Sequence, residues 1–274
     1  VIEGKAVRKP DSLMCIDAGN TLVKWCLHVG ANVRFEQPSA FFSRATADFK
    51  PFSDAFGPVQ EHLAPSLNSA SAVQAVLLSN VLGPDFEQAV RAMCEGAGVP
   101  LHVLAVNRHA AVQSAYENPA ALGKDRWSAC MALTEVSQAK VNLLVSFGTA
   151  TTLDVVIKST HWQHLGGFIV PGVETMLHSL HFNTAELPKV QLGGFSEKAW
   201  PVSTQQAIGQ GVGRMQKAMV DSMAAQLQSE YGVPPAIWLS GGFASVMQAQ
   251  LPQATVLEYA VFKGLVLDYR LAQK

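Results

Sequence analysis

Two short segments carry residue types suited to holding a chain of phosphates. The first is Asp17-Ala18-Gly19-Asn20-Thr21, continued by Leu22, Val23 and Lys24; the second is Ser146-Phe147-Gly148-Thr149-Ala150-Thr151. Glycine lets backbone N–H groups approach anionic oxygens closely, because no Cβ intervenes. Asn20, Thr21, Thr149 and Thr151 add neutral donors beside them. Asp17 would repel a phosphate unless a cation lay between them, which makes it a candidate ligand of Mg²⁺, a hard ion that takes carboxylate oxygens. Lys24 is a candidate partner for a β- or γ-phosphate. A third segment, Tyr116 to Trp127, places Asp125 beside Arg126. Taken alone, that pair reads equally as an ion pair or a helix N-cap.

These residues need strands and turns to hold them. Residues 13–16 form an apolar run ending at Asp17, and 21–29 alternate as a second strand across a tight turn. Residues 141–146 and 153–157 repeat the design around Gly148. Gly19 and Gly148 lie 129 residues apart, close to half the 274-residue chain. A duplicated domain would give this spacing, with one hairpin in each half facing a shared cleft. Further strands are expected at 72–78, 101–106, 166–170 and 236–239, the last running into Gly241-Gly242. Helices are expected at 85–95 with Asp85 as N-cap, then at 126–139, 173–180, 205–228, after Gly242, and at 261–271. Residues 38–65, rich in Phe, Pro and Ser, read only as a loop with some helix.

Composition narrows the function. Apolar residues make up 49% of the chain and charged residues 15%, a globular composition with sparse surface charge that suggests a covered surface. The net charge of −1 and the lack of a basic run argue against nucleic-acid binding. No apolar stretch reaches the ~20 residues that span a bilayer, and residues 1–10 have no apolar core of a secretory signal. Cys15, Cys26, Cys94 and Cys130 form no C-x-x-C pair and fit a reducing, cytoplasmic compartment. There is no G-x-x-x-x-G-K-[ST] loop and no G-x-G-x-x-G after a strand. Asp154 reads as a local cap or pair. The spaced histidines His161/His164 and His178/His181 have no third ligand nearby and read as non-ligands.

Phosphate binding through two hairpins resembles the acetate and sugar kinase, heat-shock ATPase and actin superfamily, in which two ribonuclease-H-like domains clamp ATP. Ser240-Gly241-Gly242-Phe243-Ala244 stands where that superfamily has its late adenosine-side element. Within it, Tyr116-x-x-Pro119-x-x-Leu122-Gly123-Lys124-Asp125-Arg126 closely resembles the Y-x-x-P-x-x-L-G-x-D-R motif of type III pantothenate kinases. Segments 17–24, 147–154, 166–172, 184–188 and 204–208 followed by Gly211 match the same family in order.

The resemblance implies an α/β protein of two ribonuclease-H-like domains, a duplicated actin-like ATPase fold around a nucleotide cleft. The expected domains are 13–123 and 124–274, with the terminal helix packing back on the first. It implies ATP-dependent phosphorylation of pantothenate to 4′-phosphopantothenate, the first step of coenzyme A biosynthesis. Asp125 matches the proton acceptor. Tyr116, Gly123, Lys124, Asp125, Arg126 and Thr204 match the substrate site, and residues 17–24 with Thr149 match the ATP site. Mg²⁺ accompanies ATP, and the family works as cytoplasmic homodimers with the substrate site near the subunit interface. Where many relatives carry the Asp that ligates an activating K⁺ or NH₄⁺, this chain has Ser146. A neutral hydroxyl is a weaker cation ligand, which puts monovalent-cation activation in question. Alternatives are another kinase or phosphatase of the superfamily, or a non-catalytic accessory regulator of transcription.

Overall fold

A computed structural model describes residues 12–30, 34–52, 57–69, 73–109, 112–191 and 200–274. The chain divides into two compact units. The first comprises the described residues of Val1–His109 with Gly123–Ala132 and Val261–Lys274; the second comprises Ala110–Leu122 and Leu133–Ala260.

The first unit is built on five strands: β1 (Ser12–Ala18), β2 (Leu22–Val29), β3 (Ala40–Ala45), β4 (Val73–Asn80) and β5 (Leu101–Val103), in spatial order β3-β2-β1-β4-β5. β1–β2 and β2–β3 pair antiparallel, whereas β1–β4 and β4–β5 pair parallel. α1 (Pro58–Ser69) and α2 (Pro84–Gly96) cover one face. Strand alternation sends Met14, Ile16 and Ala18 into that core with Val76, Leu78, Phe86 and Val90. Full burial of each large side chain contributes roughly 1.5–3 kcal/mol. The opposite phase of β1 brings Asp17 to the end of the other face.

In the second unit, β6 (Val112–Ser114) and α3 (Lys124–Val136), which begins in the first unit, precede the sheet strands β7 (Val141–Phe147), β8 (Ala150–Lys158) and β9 (Trp162–Pro171). Then come α4 (Val173–Phe182), α5 (Thr204–Tyr231), β10 (Ala236–Ser240), α6 (Ala244–Gln248) and β11 (Thr255–Val256), before the chain returns to the first unit in α7 (Ala260–Ala272). The spatial order is β11-β10-β7-β8-β9-β6. With β6 set aside, β9-β8-β7-β10-β11 repeats β3-β2-β1-β4-β5 strand for strand. The pairings also repeat: antiparallel at β7–β8 and β8–β9, parallel at β7–β10 and β10–β11. The expected duplication is therefore present in the topology.

The division differs from a single cut at 123/124. β6 pairs parallel with β9, which carries 110–122 into the second sheet, while α3 starts in the first unit and most of α7 belongs to it. Ser128 Oγ donates to Val261 O at 2.7 Å, and Gly264 backs onto the Ser128 backbone, where a Cβ would collide with its carbonyl.

Local corrections have local causes. Gly83, not Asp85, is the N-cap of α2, because Pro84 occupies the first helical position and Asp85 follows it. β5 ends at Val103 rather than 106, since the chain turns before Asn107, whose φ is 57°. Residues 38–65 contain β3, a 3₁₀ turn (Thr46–Phe49) and the start of α1. Pro65 inside α1 and the exposed side chains of β3 hid both from a periodicity reading. Among the described residues no helix is long and apolar enough to cross a membrane. The four cysteines are buried and form no disulfide.

Candidate functional site

In the first unit the β1–β2 loop is shaped by its own backbone. Gly19 N–H donates to Leu22 O at 3.1 Å, and a Cβ on Gly19 would sit 3.0 Å from that carbonyl. Thr46, directly after β3, pins the loop twice: its Oγ1 donates to Gly19 O at 2.7 Å and its N–H to Thr21 O at 2.9 Å. Asn20, Thr21 and Leu22 are exposed at the tip. Ala18 and Val23 turn their side chains into the core, so only their backbone is available to a ligand.

Asp17 and Lys24 are direct cross-strand partners, which puts their side chains on one face. Burial pushes the Asp17 carboxyl up from 3.8 to about 7; the Lys24 ammonium pulls it down, and the Asp125 carboxylate pushes it up again. Asp125 is thus close enough to Asp17 to be felt. It lies in the first turn of α3, not at the N-cap, and Arg126 beside it is buried, which removes the surface ion-pair reading. Asp125 Oδ1 folds back over Gly123, 2.8 Å from where a Cβ would stand. Gly123 therefore gives the carboxylate room, and Gly123 O accepts the Trp127 N–H at 2.9 Å to start the helix. Lys124 opens α3 half-buried.

The second unit repeats the loop with one residue fewer. Gly148 N–H donates to Ala150 O at 3.0 Å. The pinning group again follows the third strand: Gly172 N–H donates to Thr149 O at 3.0 Å, and Thr175 Oγ1 to the same oxygen at 2.6 Å. A Cβ on Gly172 would collide with the backbone of Gly148 and Thr149. Gly241, at φ 88°, backs onto Phe147, whose backbone N would lie 2.8 Å from an added Cβ. The late Gly-Gly element therefore touches the second hairpin. Ser146 stands opposite Thr152 in register, and among the described residues Thr152 Oγ1 is buried without a hydrogen-bond partner.

Tyr116 follows β6 and its ring lies 5.6 Å from that of His164. Thr204 is the first residue of α5, exposed, with Ser203 Oγ capping the helix by accepting Gln206 N–H at 3.3 Å. Beside this helix start is a cavity of about 550 Å³ lined by Lys189, Gln191, Gln205, Gln206 and Gln210. Among the described residues, Gln210 Oε1 is buried there without a hydrogen-bond partner. A larger groove of about 740 Å³ in the first unit, lined by Trp25, Arg44 and His62 among others, contains no residue expected at the site.

The Type III pantothenate kinase profile matches residues 13–226. The chain belongs to the type III pantothenate kinase family. A type III pantothenate kinase from Aromatoleum aromaticum is 33% identical over 264 residues, covering 94% of this chain and 98% of the relative. One from Nitrosospira multiformis is 30% identical over 256 residues, covering 93% and 89%. Among solved structures, a Campylobacter jejuni protein described as a conserved Baf family transcriptional activator superposes with a TM-score of 0.58 at 16% identity, over 95% of this chain and 98% of that one. A Listeria monocytogenes protein described as an N-acetylmannosamine kinase gives 0.51 at 12% identity, over 96% and 99%. These structural likenesses speak for the fold: two ribonuclease-H-like domains of the actin-like ATPase kind.

Asp154, His164, Ser114 and Gly172 make contacts in the second unit that their sequence positions do not announce. Asp154 pairs locally as expected, and its partner is His164: both are buried and joined, Nε2 to Oδ1, at 2.9 Å. Ser114 was not singled out at all. The available signal was an Asp on the inward phase of an apolar strand, ten residues before a His in the next. Gly172 is the backbone clamp on Thr149.

Proposed function

We propose that this enzyme moves the γ-phosphate of ATP onto the 4′-hydroxyl of pantothenate, giving 4′-phosphopantothenate for coenzyme A biosynthesis. The observation that carries the reading is Asp125, held at the start of α3 in the electrostatic reach of Asp17 and given room by Gly123. The acceptor is a primary alcohol whose pKa lies far above neutrality. Asp125 therefore orients the hydroxyl and takes its proton late, while positioning and charge neutralisation lower the barrier.

The pinned hairpin 17–24 offers backbone N–H groups, hydroxyls and the Lys24 cation to ATP, and Thr149 on the second pinned hairpin is read as a further ATP contact. Tyr116, Gly123, Lys124, Arg126 and Thr204 hold pantothenate. Thr204 suits this task because the N-terminus of α5 favours an anionic group and the neighbouring cavity is lined with amides and Lys189. Asp17 fits a divalent ion: its carboxyl is pushed up first by burial and, against the pull of Lys24, by the Asp125 carboxylate, and a cation there would offset both. Mg²⁺ held by Asp17 would neutralise phosphate charge.

The hydroxyl pair Ser146 and Thr152 would hold K⁺ or NH₄⁺ more weakly than a carboxylate at position 146, since neither carries charge. The nearby carboxylate on the same face of β8, Asp154, is bonded to His164. Activity in a Tris background should therefore respond weakly to added K⁺; strong saturable activation would contradict this. The second unit exposes Ile169, Phe182, Trp200, Val202 and Met215, which supports a homodimer that covers them. Sedimentation showing a monomer at micromolar concentration would remove that part. The substrate itself is tested with an acceptor panel. Mg²⁺-dependent ADP release is expected with pantothenate and not with N-acetylmannosamine or glucose, and the reverse preference would make the chain a sugar kinase.

A further inference from the structure

We propose that His164, clamped between Asp154 and Ser114, is a positioning residue that fixes Tyr116 and thereby sets the enzyme's affinity for its acceptor. The inference rests on the reading of Tyr116 as an acceptor contact.

Ser114 is the last residue of β6 and the register partner of His164 on β9. Ala115 N–H donates to His164 O at 2.8 Å, and there the ladder ends. Three residues make a short strand, too short to hold the residue two places beyond its last pair by backbone pairing alone. The side chains continue the hold. His164 Nε2 lies 2.9 Å from Asp154 Oδ1, His164 Nδ1 lies 2.9 Å from Ser114 Oγ, and Ser114 Oγ accepts the Tyr116 N–H at 3.3 Å.

The direction of donation follows from the atoms. An ionised carboxylate only accepts, so Nε2 carries the proton. Ser114 Oγ accepts from the Tyr116 amide and can donate its own hydrogen to Nδ1. One neutral tautomer of His164 satisfies every link of the chain Tyr116 N–H → Ser114 → His164 → Asp154. The tyrosine ring also lies against the imidazole, with centroids 5.6 Å apart and planes tilted by 33°. Tyr116 is thus held at both its backbone and its ring.

His164 is 0% and Asp154 1% exposed. Burying a carboxylate and an imidazole is costly unless they are matched to each other and to further polar groups. Here the matched set terminates on a residue of the acceptor site, which is what a positioning role requires.

The test is a steady-state comparison of Ser114→Ala, Ser114→Thr and His164→Gln, with Ser114→Ala also placed in a Tyr116→Ala background. KM is independent of the folded fraction, so partial misfolding cannot imitate the result. Ser114→Ala and His164→Gln should each raise KM for pantothenate about five-fold or more, with KM for ATP held within about two-fold. Ser114→Thr, which keeps the hydroxyl, should restore the wild-type value. In the Tyr116→Ala background, Ser114→Ala should add nothing. If Tyr116→Ala raises the pantothenate KM but Ser114→Ala and His164→Gln do not, the positioning role is wrong and the contact role of Tyr116 stands. The positioning role also falls if Ser114→Ala has the same effect in both backgrounds. If Tyr116→Ala leaves that KM unchanged, the contact role fails and takes the inference with it.

Discussion

Replacing Asp17 with Asn should stabilise the nucleotide-free protein at neutral pH while it abolishes turnover. Burial lifts the Asp17 carboxyl from 3.8 to about 7, with Lys24 opposing and Asp125 adding. In the unfolded chain the same group ionises near 3.8. Between about pH 4 and 7 the native state therefore keeps a proton that the unfolded state has lost, and stability falls as pH rises through that window. Below it both states are protonated and the penalty vanishes. Above it both are ionised and the penalty is constant at its full size. Converted at about 1.4 kcal/mol per pH unit, the interval sets a ceiling of ~4 kcal/mol. Asp17 is half-buried rather than sealed, and screening by solvent reduces this to on the order of 2 kcal/mol. Urea denaturation in EDTA, at intervals from pH 4.5 to 8, reads the difference between Asp17→Asn and wild type. The variant's advantage should grow by about 2 kcal/mol across the range and level off above about pH 7.5. Mg²⁺·ATP should then stabilise the wild type and do little for the variant. A difference that stays constant with pH, or a wild type that is the more stable at pH 8, would refute the electrostatic reasoning.

Gly123→Ala should lower kcat about ten-fold or more, because the added Cβ displaces the Asp125 carboxylate now 2.8 Å from that position; steady-state kinetics beside a melting curve would show kcat falling while Tm moves by only a few degrees. Gly172→Ala should act differently, since the groups it meets are the backbone of Gly148 and Thr149, which cannot swing aside. It should raise KM for ATP and cost about 1–3 kcal/mol of stability, read by denaturation.

What the sequence disclosed and what it hid follow from the range of the forces involved. The hairpins at Gly19 and Gly148 were legible because strand alternation and glycine placement are local, and two copies of one pattern implied the repeated sheet order. β6 was not legible: three residues carry no period, and its pairing with β9 depends on residues fifty positions away. The assignment of α7 to the first unit likewise depends on the close approach of Gly264 to Ser128, a contact no window of sequence contains. At the site, Asp125 stood out through its flanking motif. Asp154 and His164 did not, because each alone looks like an ordinary polar residue of a strand, and only the bulged β8–β9 register brings them together. Pro65 is the opposite case, a local signal against helix that the packing of α1 overrides.

The central claim is that Asp125 serves the transfer of phosphate from ATP to pantothenate, and single-turnover product analysis tests it most directly. Wild type and Asp125→Asn are each mixed with Mg²⁺, γ-labelled ATP and pantothenate, and the label is followed into product. The wild type should yield labelled 4′-phosphopantothenate, one for each ADP, and the variant should form it about a hundred-fold more slowly while still binding ATP. No labelled 4′-phosphopantothenate from the wild type, or equal rates from the two proteins, would contradict the account.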